Sequence, residues 1–66
     1  MMMLFDLLEV IKDTERPLLI TYKDTVKEVS FRDAALDSFL VSLYVSSLNV
    51  VTVGQKVYYS IGLREY

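Results

Sequence analysis

The chain has no cysteine, no histidine and no tryptophan, so its fold must be held by the burial of apolar side chains without covalent or metal staples. Disulfides and thiolate- or imidazole-bound metals, which brace most very small domains, are excluded. Its 66 residues make one domain, spanning 1–66. A chain of this size should expose roughly 4,300 Å² folded and roughly 11,000 Å² unfolded. If about 60% of the buried area is apolar, burial contributes about 100 kcal/mol. Ordering the residues costs about the same, at ~1.5 kcal/mol each. The monomer is therefore marginal, and association is the remaining source of stability. Leu, Val, Ile, Phe and Met supply 28 residues, too many for so small an interior, and apolar surface left outside usually marks an interface.

The same absences restrict chemistry. Without histidine there is no ordinary acid–base group near neutral pH, and without cysteine no thiolate nucleophile. The net charge is −2, and the basic residues are scattered singly rather than clustered, so phosphate neutralisation on a nucleic acid is not expected. No apolar run reaches the ~18–20 residues of a membrane span. The start Met1-Met2-Met3-Leu4-Phe5-Asp6 lacks the basic region of a signal peptide. The triple Met is given no role, and the lack of cysteine fits a cytoplasmic protein.

Leu4, Leu7, Leu8 and Ile11 recur at helical spacing with Asp6, Glu9 and Lys12 between them, which predicts an amphipathic helix over about 3–12. Pro17 ends that segment. Residues 18–22 read as a strand, Lys23-Asp24-Thr25 as a hairpin loop and 26–31 as a second, half-exposed strand. Residues 32–47 satisfy two patterns. Val41, Leu43 and Val45 alternate as in a strand, whereas Leu36, Phe39, Leu40 and Leu43 follow helical spacing, with Ser30 and Asp33 placed like an N-terminal cap. A helix over about 32–46 is the favoured reading, against the β-branched Val41 and Val45. Residues 50–53 and 57–61 then form strands around Gly54-Gln55-Lys56. The expected fold is α+β: a small two-layer domain of αββαββ order, with a four-stranded, largely antiparallel sheet and helices on one face. Its two helix-plus-hairpin halves share pattern rather than residues, which leaves an internal duplication open.

The carboxylate pairs Asp6/Glu9 and Asp33/Asp37 sit at i, i+3 and i, i+4. Such pairs can serve hydrolysis or bind a hard cation, but a solvated helix face is the expected reading. No serine stands in a nucleophile elbow, so neither catalytic residues nor cofactor nor metal is expected. The tyrosines are the informative group, since tyrosine combines large contact area with little rotamer entropy and is enriched at interfaces. Adjacent strand residues face opposite ways. Tyr59 therefore joins Val57 and Ile61 toward the core, and Tyr58 faces outward beside Ser60 and Gly62 as an interface anchor. Tyr22, Tyr44 and Phe5 are further interface candidates.

The short helix carrying Leu7-Leu8-Glu9-Val10-Ile11, the hairpin, the second helix, Val50-Val51-Thr52-Val53 and the Tyr-rich last strand resemble small accessory proteins encoded by phages and prophages of Gram-positive bacteria. The resemblance implies a genomic setting, and some proteins of that kind inhibit host defence systems. The expected function is a non-enzymatic protein-binding module, a homo-oligomer that also binds another protein. One alternative is a binder of a small anionic ligand, such as a nucleotide signal, at an oligomer interface, with Arg16, Lys23 or Arg64 converging beside a tyrosine. The other is a structural or assembly subunit.

Overall fold

A computed structural model describes residues 1–65. Helix α1 (Leu4–Val10) leads to strands β1 (Leu18–Tyr22) and β2 (Thr25–Val29). Two short helices follow, α2 (Phe31–Leu36) and α3 (Ser38–Val41), and then strands β3 (Tyr44–Val53) and β4 (Lys56–Arg64). The class is α+β, as the sequence predicts. The strands form one mixed sheet of order β2-β1-β4-β3. Both hairpins are antiparallel, while β1 and β4 pair in parallel, Leu18 opposite Tyr59 and Tyr22 opposite Leu63. The first strand of one hairpin is central, and so is the second strand of the other. A duplicated unit would place equivalent strands in equivalent positions, so the topology speaks against internal duplication.

The core lies on one face of the sheet. Leu18 and Ile20 from β1 and Ile61 and Leu63 from β4 meet Leu4, Leu7 and Leu8 from α1, with Ala34 and Leu43 completing the cluster. The α1 stripe is the one its leucine spacing predicts, and Asp6 closes the first turn by accepting the Met3 backbone N–H at 3.3 Å. The initial methionines also have a place. The backbone N–H of Val45 donates to Met2 O at 2.8 Å, and that of Leu4 to Leu43 O at 2.9 Å. Residues 2–4 thereby run along the outer edge of β3 at its start.

The second half of the helical layer departs from expectation. No single helix spans 32–46; the chain breaks at Asp37, whose backbone is extended (φ −87°, ψ 102°). Its carboxylate accepts the N–H groups of Phe39 and Leu40 at 3.0 and 3.1 Å. An Asp side chain that bonds nearby backbone competes with helix propagation, and here it restarts the helix one residue on. Strand β3 then begins at Tyr44, so the alternation of Val41 to Val45 prevails for the last residues. The break leaves Leu36 and Phe39 at 72% and 53% exposure instead of in the core. The second strand also ends sooner than predicted. Ser30 leaves it to cap α2, accepting the Asp33 N–H at 3.1 Å, and Phe31 becomes a helical residue.

Both hairpins turn through two residues, Lys23-Asp24 and Gly54-Gln55. In each, only the first has positive φ, 46° at Lys23 and 63° at Gly54. That is the sign pattern of a type II′ turn, which favours Gly at its first position. Lys23 accepts a left-handed conformation that costs a non-glycine residue about 1–2 kcal/mol, less the entropy a glycine gives up on folding. Lys23→Gly should accordingly stabilise the domain by up to about 1 kcal/mol in urea unfolding, and Gly54→Lys should destabilise it by a similar amount.

Candidate protein interface

Two of the four carboxylates named from sequence are engaged in structure. Asp6 and Asp37 bind backbone N–H groups at helix starts, and Glu9 and Asp33 are exposed on α1 and α2. Among the described residues, no group of three or more acidic residues is arranged to hold a metal ion. The three cations suggested for an anionic ligand do not converge. Arg16 is paired with Asp13 at 2.9 Å, donates to Val57 O at 3.4 Å and lies 5.8 Å from the Tyr59 ring centroid. Lys23 stands 5.5 Å from the ring centroid of Tyr22. The register puts Tyr59 and Tyr22 at opposite ends of β1, about 13 Å apart at the strand rise. Arg64 is at the Lys23 end, its guanidinium 3.9 Å from Met1 Sδ.

The four aromatic candidates do not form one patch either. Tyr58 faces away from the helices and Tyr59 packs against the core, as strand alternation predicts. Tyr58 is nevertheless no free anchor, being only 6% exposed. Its hydroxyl donates to Glu28 Oε1 at 3.2 Å, and because β1 lies between β4 and β2, the side chain spans the intervening strand. The sheet's bare face thus buries its own tyrosine. Tyr22 is half-buried on the other face, edge-on to Phe39 with centroids 5.6 Å apart, and hydrogen-bonds to Glu65. That hydrogen bond, with partial desolvation and the carboxylate's charge, holds the Tyr22 phenol above its usual range. Tyr44 is half-buried at the start of β3, bridged to Met3. Phe5 alone of the four stands well exposed, at 53% on α1.

The largest apolar exposure on one element is on β3, which sequence reasoning did not single out. Leu48, Val50 and Val53 are 47%, 65% and 59% exposed. Leu48 and Val50 pair with Ile61 and Tyr59, so they share the helical side of the sheet, but α1 and α3 do not extend far enough to cover them. Beyond Val45 the outer edge of β3 has no backbone hydrogen-bond partner among the described residues, and the strand carries no charge from Tyr44 to Val53. A signal was present in the sequence: no charged residue occurs between Asp37 and Lys56. Natural edge strands are usually kept short, or blunted by Lys, Pro or a bulge. β3 has one bulge, at Ser46, where the Ser46 and Ser47 hydroxyls crowd over Gly62, and no such device from 47 onward. The opposite edge, β2, is five residues long and carries Lys27 and Glu28.

A cleft of about 370 Å³ runs between β2 and α3, with Tyr22, Lys23, Lys27, Val29, Asp37 and Leu40 in its lining. Asp37 partly offsets the charge of Lys23 and Lys27 there, which weakens its preference for an anion. No helix among the described residues is long and apolar enough to cross a membrane. No family model matches the chain, and no curated protein or solved structure was found to be similar to it.

Tyr58→Ala should cost about 3 kcal/mol of folding stability, the low end for a truncated buried aromatic because one side of the sheet is open. Tyr58→Phe should cost about 1 kcal/mol or less, the net worth of one hydrogen bond; an Ala variant as stable as wild type would contradict the buried placement. Tyr22 can be checked by ultraviolet titration. Its folded pKa is raised, so the stability it contributes is present below the unfolded tyrosine value of about 10 and is lost as pH climbs through the folded value. One tyrosine should ionise late, and Glu65→Ala should bring it back toward the usual range.

Proposed function

We propose that this chain is a non-enzymatic protein-binding module that works as a homo-oligomer. The observation that carries this reading is the uncovered apolar edge of β3, with Leu48, Val50 and Val53 exposed on one uncharged strand. Single exposed apolar residues are ordinary, but a run of them beside unpaired backbone N–H and C=O groups favours a partner. Asp6 and Asp37 support the same direction, since their carboxylates are taken up by backbone N–H groups. Arg16 stands at one end of the sheet and Lys23 and Arg64 at the other, which suits neither a phosphate backbone nor a compact anion. The cytoplasm is the proposed location, and no cofactor or metal is part of the proposal. On the resemblance to small phage-encoded proteins, a component of a bacterial defence system is the first heterologous partner to test.

A small-ligand reading has one observation in its favour: the cleft beside β2 places Tyr22, Lys23 and Lys27 together. Asp37 in the same lining weakens it for a nucleotide. Thermal shifts against a panel of nucleotides distinguish the readings, since a ligand site there would raise the melting temperature with ligand concentration.

Sedimentation and native mass measurement across the micromolar range test the main proposal. Multiples of the single-chain mass are expected, with a melting temperature that rises with protein concentration. A single-chain species throughout, with a concentration-independent melt, would remove the homo-oligomer.

A further inference from the structure

We infer that β3 is the dimer seam: two copies join their β3 edges antiparallel about a two-fold axis at Val50, making one continuous eight-stranded sheet. The inference rests on the homo-oligomer reading and deepens it by naming the surface, the partner and the register.

Three observations select a second copy as the occupant. Residues 2–4 already lie along the start of β3 at Tyr44 and Val45, so the free edge runs from about 46 to 53. Antiparallel self-pairing that uses all of 47–53 must centre on Val50, which places Val50 opposite Val50 of the second copy, Leu48 opposite Thr52, Asn49 opposite Val51 and Ser47 opposite Val53. No charge opposes a like charge in that register, because the strand has none. The same operation on the other edge fails: β2 runs Thr25–Val29, its centre is Lys27, and full overlap would set Lys27 against Lys27. Like charges directly opposite across a strand pair are destabilising. A protein with two free edges, of which one repels its copy and one does not, has its self-association surface chosen by charge.

The side chains agree with the seam. Positions related by the two-fold share a face of the sheet, since their numbers have the same parity. On the helical side, Leu48 and Val50 (47% and 65% exposed) would cover one another's flanks across the axis. On the bare side, Val51 and Val53 would pack beside Asn49 and Ser47 of the second copy. Seven residues at ~3.4 Å make a front of about 24 Å, and both helical layers fall on the same side of the joined sheet. The covered residues 2–4 lie outside the overlap, so nothing in the fold must move to form it.

The absence of cysteine makes the test clean. Directly opposed residues of an antiparallel pair have Cα atoms about 4.5–5.5 Å apart, within the range a disulfide bridges. Val50→Cys under mild oxidation should give a covalent dimer in high yield on a non-reducing gel. Val53→Cys, on the same strand but about 20 Å from its own copy in this register, and Val26→Cys on β2, 62% exposed, should cross-link at least tenfold more slowly. Val50→Lys should weaken association at least tenfold by sedimentation while leaving the far-ultraviolet circular dichroism unchanged. If the wild-type chain is oligomeric but Val50→Cys cross-links no faster than Val26→Cys and Val50→Lys associates normally, the seam is wrong and the homo-oligomer reading survives. If Val53→Cys cross-links fastest, the edge is right and the register wrong. If the wild-type chain remains a single copy at every concentration and no variant cross-links, both readings fall.

Discussion

The parallel pairing of β1 with β4 is the joint on which the rest of the molecule depends. Each hairpin is a local event, closed by a two-residue turn, but nothing within either hairpin attaches it to the other. The attachment is made between Leu18–Tyr22 and Tyr59–Leu63, some forty residues apart, at the loop-closure cost such a separation carries. What compensates is placement: Leu18, Ile20, Ile61 and Leu63 all point to one side and provide the floor on which α1 and the short helices settle. In a chain with no cysteine and no histidine, the cluster built on that one-sided floor is the main core. Weakening it should unfold the protein rather than loosen a part of it.

Putting β1 and β4 inside forces β2 and β3 outside, and the two edges differ. β2 is short and charged, and its Glu28 receives the hydroxyl of Tyr58 reaching over β1, so this end of the bare face is closed by the chain itself. β3 is ten residues long and uncharged, and among the described residues its outer edge is paired only where residues 2–4 lie along its start. The helices are too short to reach Leu48 and Val50. The folded chain exposes 4624 Å², somewhat more than the roughly 4,300 Å² typical of its mass, as expected of a sheet covered on one side. Limited interior and an unblunted edge are thus two aspects of the same small fold.

Much of this was legible from the residues. Leu4, Leu7, Leu8 and Ile11 define α1 without ambiguity, Gly54 marks the second turn, and alternation places Tyr58 and Tyr59 on their proper sides. Three features were not. Asp37 fits the polar face of a continuous helix as well as it fits a cap, and only its extended backbone reveals the break that exposes Leu36 and Phe39. Strand order is not written in any local pattern, so the central parallel pair and the two edges were hidden. The burial of Tyr58 depends on Glu28, thirty residues back and two strands away, a partner no periodicity indicates. Of the candidate interface residues, Tyr58, Tyr22 and Tyr44 proved to be buried or half-buried and Phe5 exposed. The charge-free run between Asp37 and Lys56 was the readable trace of the β3 edge.

Residue-resolved hydrogen exchange at low and high protein concentration tests the central claim most directly, because it reads each strand edge separately. The amides of β1 and β4 should be slowest at both concentrations. Those amides of residues 47–53 that point away from β4 should exchange quickly in dilute solution and gain protection as concentration rises, while the outer amides of β2 stay fast. Outer β3 amides that are equally fast at both concentrations, or protection that grows on β2 instead, would contradict it.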